Sequence, residues 1–254
     1  MINTIKKIVT VFLLVASVSI AAQESVLLQY NFKKGDQYLI EMNLKQDMAP
    51  IMSMDIDLSM VMKSIGKDGN NLKNTYQIKR MKMLMGAQGQ NIEFDSDAKD
   101  EDLNDEEKKM KAEIEPALKA IIYQTIDRTG KVVEQKMVPD VKGAMSLMNQ
   151  NQFTNMEYPT TPVKVGSSWN YSQNMNGTNM KVKYTVTKIT KENVFADITG
   201  EIEGVSGTEA DVSIGGKTKI DRSSGMVVDM NFVMNMSASG MGIKMNVAMK
   251  SKKM

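Results

Sequence analysis

Residues 226–236 read MVVDMNFVMNM, and their apolar side chains fall on every second position. One parity of the stretch is apolar throughout, at Met226, Val228, Met230, Phe232, Met234 and Met236. The other parity is polar at Asp229, Asn231 and Asn235, with Val233 as its exception. Successive side chains of a β-strand point to opposite faces, so this alternation predicts a strand with one buried and one solvated face. Methionine is predicted to supply most of the buried face.

The same alternation occurs nearer the N-terminus, in residues 52–62. Its apolar positions are Met52, Met54, Ile56, Leu58, Met60 and Met62. The segment GKDGN, residues 66–70, contains an Asp-Gly pair typical of a tight hairpin turn. Residues 71–86 are therefore expected to pair back onto 52–62. A change of parity inside this second strand predicts a β-bulge near Lys79 and Arg80.

Strands are predicted over much of the remaining chain. Alternating runs indicate them at 89–95, 178–190, 193–204, 209–222 and 241–250. Turns are expected at Gly215-Gly216, Ser223–Gly225 and Ser239-Gly240. We predict a mainly β fold, a curved antiparallel sheet or open half-barrel with two helical segments packed against it.

The two helical segments interrupt the strands. Asn104 and Glu107 form an N-x-x-E capping pattern. The helix that follows carries apolar side chains at near-helical spacing, at Met110, Ile114, Leu118 and Ile121. Pro116 is expected to kink or split this helix because it lacks a backbone donor. A second helix is predicted over 140–150, after Pro139.

Two pairs of short motifs indicate an internal repeat. FKKGDQY (32–38) is matched by VKVGSSW (163–169), and TIDRTGKVV (125–133) by KIDRSSGMVV (219–228). We interpret them as two related meanders, although such motifs also occur in unrelated hairpins. The predicted organisation is one β-rich domain over 23–254. Its parts are a first meander, a helical insert, a continuation and a second meander, at 23–97, 98–122, 123–157 and 158–254.

These motifs, with an apolar leader, the methionine-rich hairpin and the Pro-containing loop YPTTP (158–162), resemble a family of secreted proteins of Bacteroidota that has no assigned function. The resemblance covers most of the chain after the leader and implies export. More distantly, a long antiparallel sheet with helices over one face is similar to the lipoprotein-carrier half-barrels of the periplasm. That second likeness concerns architecture, and a fold does not by itself imply a function.

The N-terminus has the features of a secretory signal peptide. Lys6 and Lys7 precede an apolar run over 8–20, which small residues follow. Residues 1–22 are therefore predicted to be a signal peptide, and the mature protein to be periplasmic or secreted. The run is shorter than the roughly 20 residues that a transmembrane helix needs. No second run of that length follows, so no integral membrane segment is expected after leader removal.

The composition excludes several functional classes. Cysteine and histidine are absent, which excludes disulfides, Ser-His-Asp and Cys-His sites and most zinc sites. Residues 1–22 hold two lysines and no acid, so 30 basic and 30 acidic residues remain after them. A neutral chain gives no reason to expect a nucleic-acid partner. We therefore predict that the protein is not an enzyme and uses no cofactor.

An acidic stretch between Glu93 and Glu107 raises the question of a calcium site. Asp95, Asp97 and Asp100 could offer oxygen ligands, but the 12-residue loop pattern with its central glycine is missing. Acidic residues also favour the start of a helix. The stretch is interpreted as a solvated loop and helix start, and no metal site is predicted.

Methionine is the unusual feature of the composition, with 25 residues. It can build an ordinary core, or line a deformable apolar pocket because its side chain is flexible and polarizable. Its thioether is also a soft ligand for Cu(I) or Ag(I). Met81, Met83 and Met85 would point the same way, but such positions lie roughly 6.5–7 Å apart. They would need partners from a neighbouring strand to enclose one ion.

The leading hypothesis is a non-enzymatic exported binding or carrier protein for an apolar small molecule or lipid, held in a methionine-rich groove. It requires that methionine-bearing strands from both ends of the chain share one interior. The alternative is a structural or protein-interaction module with a closed methionine-rich core, whose partner would be an envelope protein. The predicted ligand-binding residues are Met52, Met54, Met60, Met62, Met230, Phe232, Met234, Met241 and Met245. No catalytic residue or metal ligand is predicted.

Overall fold

The computed structural model describes residues 24–48, 51–87, 90–141, 156–175, 178–203, 211–238 and 241–254. Within these ranges lie one α-helix, α1 (Asp105–Lys119), a 3₁₀ turn (Asp100–Asp102) and twelve strands. The strands are β1 (Gln37–Met48), β2 (Met52–Asp68), β3 (Asn71–Ala87), β4 (Gln90–Asp95), β5 (Ile121–Ile126), β6 (Val132–Val138), β7 (Ser168–Met175), β8 (Thr178–Ile189), β9 (Asn193–Glu203), β10 (Asp211–Asp221), β11 (Val227–Ala238) and β12 (Met241–Lys253).

The described strands form one open antiparallel sheet, in the order β6-β5-β3-β2-β1-β12-β11-β10-β9-β8-β7. The C-terminal half of β3 pairs with β4, and its N-terminal half pairs with β5. Strands β7 to β12 form an uninterrupted meander. The first half, β1 to β6, is a meander into which β4 and α1 are inserted. The two halves meet where β1 pairs with β12, and the predicted mainly β class is confirmed.

The first motif pair builds the same turn in both halves. Gly35 and Gly166 both have positive φ, at 95° and 87°, a conformation that glycine adopts without steric cost. The N–H of Gly35 donates to the carbonyl oxygen of Ser64, and that of Gly166 donates to Val186, each at 2.8 Å. Each turn therefore ties the start of a meander to its second strand.

The second motif pair is equivalent as well. The Asp127 carboxylate accepts a hydrogen bond from the N–H of Thr129 at 2.8 Å. The Asp221 carboxylate accepts one from the N–H of Ser224, also at 2.8 Å. Both aspartates thus organise a turn by bonding nearby backbone. The motif pairs thus form similar turns, while the relation between the two meanders and the residue boundaries of their parts stay predictions.

The bulge predicted in β3 is present. Ser59 pairs with Arg80 and Met60 pairs with Ile78, so Lys79 is the extra residue. Because of the extra residue, the apolar side chains before and after the bulge lie on the same face of the sheet, although their positions in the sequence have opposite parity.

The turn predicted at Gly215-Gly216 is wrong. Both glycines lie inside β10, where they pair with Val233 and Phe232 of β11. A Cβ atom at Gly216 would lie 2.5 Å from the Cβ of Phe232. Glycine is therefore needed for the close approach of two strands, which is the other common role of this residue within a sheet.

The capping box predicted for α1 is present. The Asn104 side chain accepts hydrogen bonds from the N–H groups of Glu106 and Glu107 at 2.9 Å, and Glu107 accepts one from the N–H of Asn104 at 2.8 Å. Pro116 does not split the helix, which continues to Lys119. The proline ring has a helix-compatible φ, and the helix ends soon after it. Ile121, predicted on the helix face, begins β5 instead.

The other predicted helix and the leader fall largely outside the described residues. Residues 142–150 of the second helix and all of residues 1–22 lie outside them, and residues 140 and 141 are not helical. In the part of the chain that the structure describes, no helix has the length and apolar character needed to cross a bilayer.

An N-terminal segment, residues 24–36, covers one end of the apolar face of the sheet. It makes a bridge from Val26 to Val163, and Tyr30 and Phe32 on it are fully buried. The Phe32 ring lies 5.5 Å from the ring of Tyr38 on β1. Burial raises the pKa of Tyr30 to about 12, so this tyrosine acts as a neutral core residue. The segment makes this end of the sheet a closed core.

Candidate functional site

One face of the sheet carries methionine on five neighbouring strands, β3, β2, β1, β12 and β11, and is called the methionine face below. Directly opposite residues of an antiparallel pair share a face. One row of such partners crosses all five strands, in the order Met81, Leu58, Met42, Met249 and Met230. The strands from the two ends of the chain therefore carry these residues on one face of the sheet.

A second row crosses the same strands nearer to the β1–β2 hairpin. Its members are Met85, Met54, Gln46, Met245 and Met234. Each lies four residues from its counterpart in the first row, which corresponds to about 13 Å along the strands. Gln46 is the only polar member of this row.

Burial divides the methionine face into two parts. At the end covered by the N-terminal segment, Met60, Met62 and Met249 are each 1% exposed. We call this the buried end. The side chains nearer the β1–β2 hairpin are partly exposed, and we call them the open end: Met48, Met52, Met54, Met81, Met83, Met85, Met234, Met236 and Met245. The same residue type is thus fully buried at one end and only partly buried at the other, where Met54, Met234 and Met245 still pack against the core.

The predicted ligand-binding residues are divided between these two parts. Met60, Met62, Met230 and Phe232 are buried. Met52, Met54, Met234 and Met245 belong to the open end. Met241 pairs with Ala238 at the start of β12, and its side chain is not among those described.

Several residues of this face were not in the predicted set. Met42 and Met48 lie on β1, where Tyr38, Ile40 and Leu44 continue the same alternation. This alternation would have predicted β1 from the sequence. Met83, Met85 and Met236 also belong to the open end.

One expectation about β11 needs correction near its start. Val228 was expected to share the buried parity, but it is only half-buried, whereas Val227 is fully buried. The register shifts opposite this point, between Lys219 and Ile220 of β10. This irregularity changes the parity beside the Ser223–Gly225 turn. From Met230 onward the predicted alternation holds: Asn231 and Asn235 are exposed, and Asp229 is half-buried.

Among the described residues, two clefts have mainly polar linings, although Met236 of the open end also lines the second. The first has a volume of about 480 Å³, and Asn43, Asp57 and Ser59 are among the residues that line it. The second has a volume of about 650 Å³ and is lined by residues that include Asn235 and Lys244. No predicted ligand-binding residue lines either cleft. Neither cleft therefore corresponds to the predicted set of ligand-binding residues.

The carboxylates considered for calcium are paired with basic side chains. Arg80 contacts Asp95 at 2.7 Å and Asp97 at 3.4 Å, and Lys111 contacts Asp100 at 2.7 Å. The hydrogen bonds from Arg80 lower the pKa of Asp95 to about 2. Among the described residues, no group of three or more His, Cys, Asp or Glu side chains is arranged to hold a metal ion. These acids instead stabilise the β4–α1 connection.

No family model and no curated protein matches the chain. Among solved structures, it is similar to one described as "Lipid-protein interactions in lipovitellin", with a TM-score of 0.58 and 10% sequence identity. The match covers 87% of this chain and 25% of that one, so the chain spans a quarter of the length of its structural relative. At this identity the likeness shows the fold alone: a large antiparallel sheet.

Proposed function

We propose that this protein is an exported, non-enzymatic binding or carrier protein for an apolar ligand, a lipid or an apolar small molecule. The open end of the methionine face is the binding surface. The observation that carries the proposal is the row Met85, Met54, Gln46, Met245 and Met234, which is partly exposed along its whole length. The similarity to lipovitellin gives coarse support, because that structure concerns lipid–protein interactions.

The dimensions of the row suit an elongated apolar ligand. It crosses five strands that lie about 4.8 Å apart, so its length is about 19 Å. An acyl chain laid across it would bury methylene groups at about 0.8 kcal/mol each. Flexible methionine side chains would adjust to chains of different shape, which branched residues do less readily.

The alternative is a structural or protein-interaction module for an envelope partner. The closed packing of Met60, Met62, Met230 and Met249 favours it, because a core of ordinary density needs no ligand. The alternative predicts that the partly exposed methionines contact a protein or simply form the margin of the core.

The test is a titration of the delipidated full chain with fatty acids and an apolar dye. Met54→Gln combined with Met245→Gln keeps side-chain length at the open end but adds polar groups, and it should weaken binding at least tenfold. The matched control is Ser53→Gln with Asn235→Gln, on the exposed polar face of β2 and β11, and it should bind as wild type does. If wild type binds nothing in the panel, or if the Met→Gln variant binds equally well, the proposal is wrong.

A second variant tests whether these methionines line an adaptable binding surface or only fill a core. Met230, Met234 and Met245 changed together to Leu nearly conserve volume and apolar character. If the surface adapts to its ligands, the triple variant should fold normally and accept a narrower range of acyl chains. If the same residues only fill a core, stability should change modestly and the range of bound molecules should not change at all.

A further inference from the structure

Four thioethers occupy neighbouring positions at the hairpin between β1 and β2. Met48 lies directly opposite Met52, and Met54 lies directly opposite Met85 of β3. Opposite side chains have Cβ atoms about 4.5–5.5 Å apart, and Met52 and Met54 lie roughly 6.5–7 Å apart on one strand. We call Met48, Met52, Met54 and Met85 the hairpin methionine cluster.

The contact of Gln46 shows where one of these sulfur atoms lies. Its side-chain Nε2 donates a hydrogen bond to Sδ of Met48 at 3.1 Å. Gln46 is itself the cross-strand partner of Met54. This bond places the sulfur of Met48 beside the side chain of Gln46, the residue that lies opposite Met54. All four members of the cluster are partly exposed, so an ion from solvent can reach them.

We propose that the hairpin methionine cluster binds one soft monovalent cation, Cu(I), for which Ag(I) is a redox-inert probe. Thioethers are soft ligands that select such ions over hard divalent cations. The carboxylates of the same strand segments, Asp47 and Asp55, have the opposite parity and lie on the polar face. Hard cations therefore find no carboxylate ligand from these segments on the methionine face.

The strand register provides methionine pairs that are closer together than methionines in line on one strand. Methionines in line on one strand are too far apart to enclose an ion, but cross-strand partners are closer. Here Met85 is opposed by Met54, and Met52 by Met48. The neighbouring strand thus gives Met85 a thioether partner that it lacks along β3, whereas Met81 and Met83 are opposed by Leu58 and Ile56. This proposal does not depend on the binding of an apolar ligand.

The test is an anaerobic titration of the full chain with Cu(I) in competition with a Cu(I) chelator. Wild type should bind one equivalent. Met54→Leu combined with Met85→Leu removes two sulfur atoms while keeping apolar volume, and it should weaken binding at least a hundredfold. The control is Met60→Leu with Met62→Leu at the buried end, which should leave Cu(I) affinity unchanged. Circular dichroism and thermal melting confirm that both variants are folded.

A second readout locates the ion in the wild-type protein. With ¹³C-methyl-labelled methionine, Ag(I) should shift the methyl resonances of Met48, Met52, Met54 and Met85 and leave those of Met60 and Met62 in place. The proposal is overturned if wild type shows no saturable binding, if the Met54→Leu/Met85→Leu variant retains full affinity, or if the shifts fall outside the cluster. The Cu(I) titration uses the delipidated chain with no apolar ligand, and the fatty-acid titration contains no Cu(I), so the two proposals fail separately.

Discussion

Replacing Met60 and Met54 separately by alanine tests the division between the buried and open ends. Both residues lie on β2 and face the same side of the sheet. Met60 is 1% exposed and its cross-strand partners, Ile40 and Ile78, are buried. Met54 is partly exposed. The two variants share the same loss of strand propensity, so a difference between them reports the packing of each site.

The expected magnitudes differ because only one site is closed. Truncation of Met60 removes three heavy atoms from a filled core and leaves a cavity, so the free energy of unfolding should fall by about 2–5 kcal/mol. At Met54 solvent can occupy the vacated space. The loss of stability there should stay below about 1.5 kcal/mol. Met54 is already partly exposed to water, so its burial contributes less than the full transfer free energy of about 0.8 kcal/mol per methylene.

The assay is equilibrium unfolding in urea, followed by circular dichroism, with the slope of free energy against urea checked for constancy between variants. The free-energy loss of Met60→Ala should exceed that of Met54→Ala by at least about 1 kcal/mol. Equal losses at the two sites would show that the open end is packed as tightly as the core. The proposed binding surface would then not exist in that form.

Three further predictions concern other parts of the chain. N-terminal sequencing of protein from the outer compartments should find a start near Ala22 or Gln23, and intact protein with Met1 in the cytoplasm would contradict the predicted leader. The pKa of Asp95 is lowered from 3.8 to about 2. Its ionised side chain therefore contributes to the free energy of unfolding above about pH 4, and this contribution is lost as the pH falls toward 2. Asp95→Asn should therefore flatten the pH dependence of unfolding in that window, and an unchanged curve would refute the coupling to Arg80. The Ser64 hydroxyl is buried without a hydrogen-bond partner in the described part of the chain, so Ser64→Ala should leave stability unchanged or raise it; a loss above about 1 kcal/mol would reveal a partner.

The sequence predicted features that depend on local rules. Alternation places the side chains of β2 and most of β11 on the correct faces, because a strand has a period of two. The bulge at Lys79 follows from a change of parity, and the turns at Gly35 and Gly166 follow from matching motifs. Each of these features is fixed by a few neighbouring residues.

The features that were missed depend on distant contacts. Gly215 and Gly216 resemble a turn in sequence, and only the approach of Phe232 from β11 shows why glycine is needed at position 216. The division between core and accessible surface also cannot be derived from alternation, since Met60 and Met54 belong to one uniform pattern. At the buried end, segment 24–36 and the buried residues Met156, Tyr158 and Val163 pack into one core with the sheet.

The most direct test of the proposed function is a titration of the delipidated, ¹³C-methyl-methionine-labelled chain with a single fatty acid. Saturable shifts are expected for the methyl groups of Met54, Met234 and Met245 at the open end. The resonances of Met60 and Met62, which are sealed in the core, should stay in place. No saturable shift at any methionine, or shifts confined to Met60 and Met62, would contradict the proposal that the open end of the methionine face binds apolar ligands.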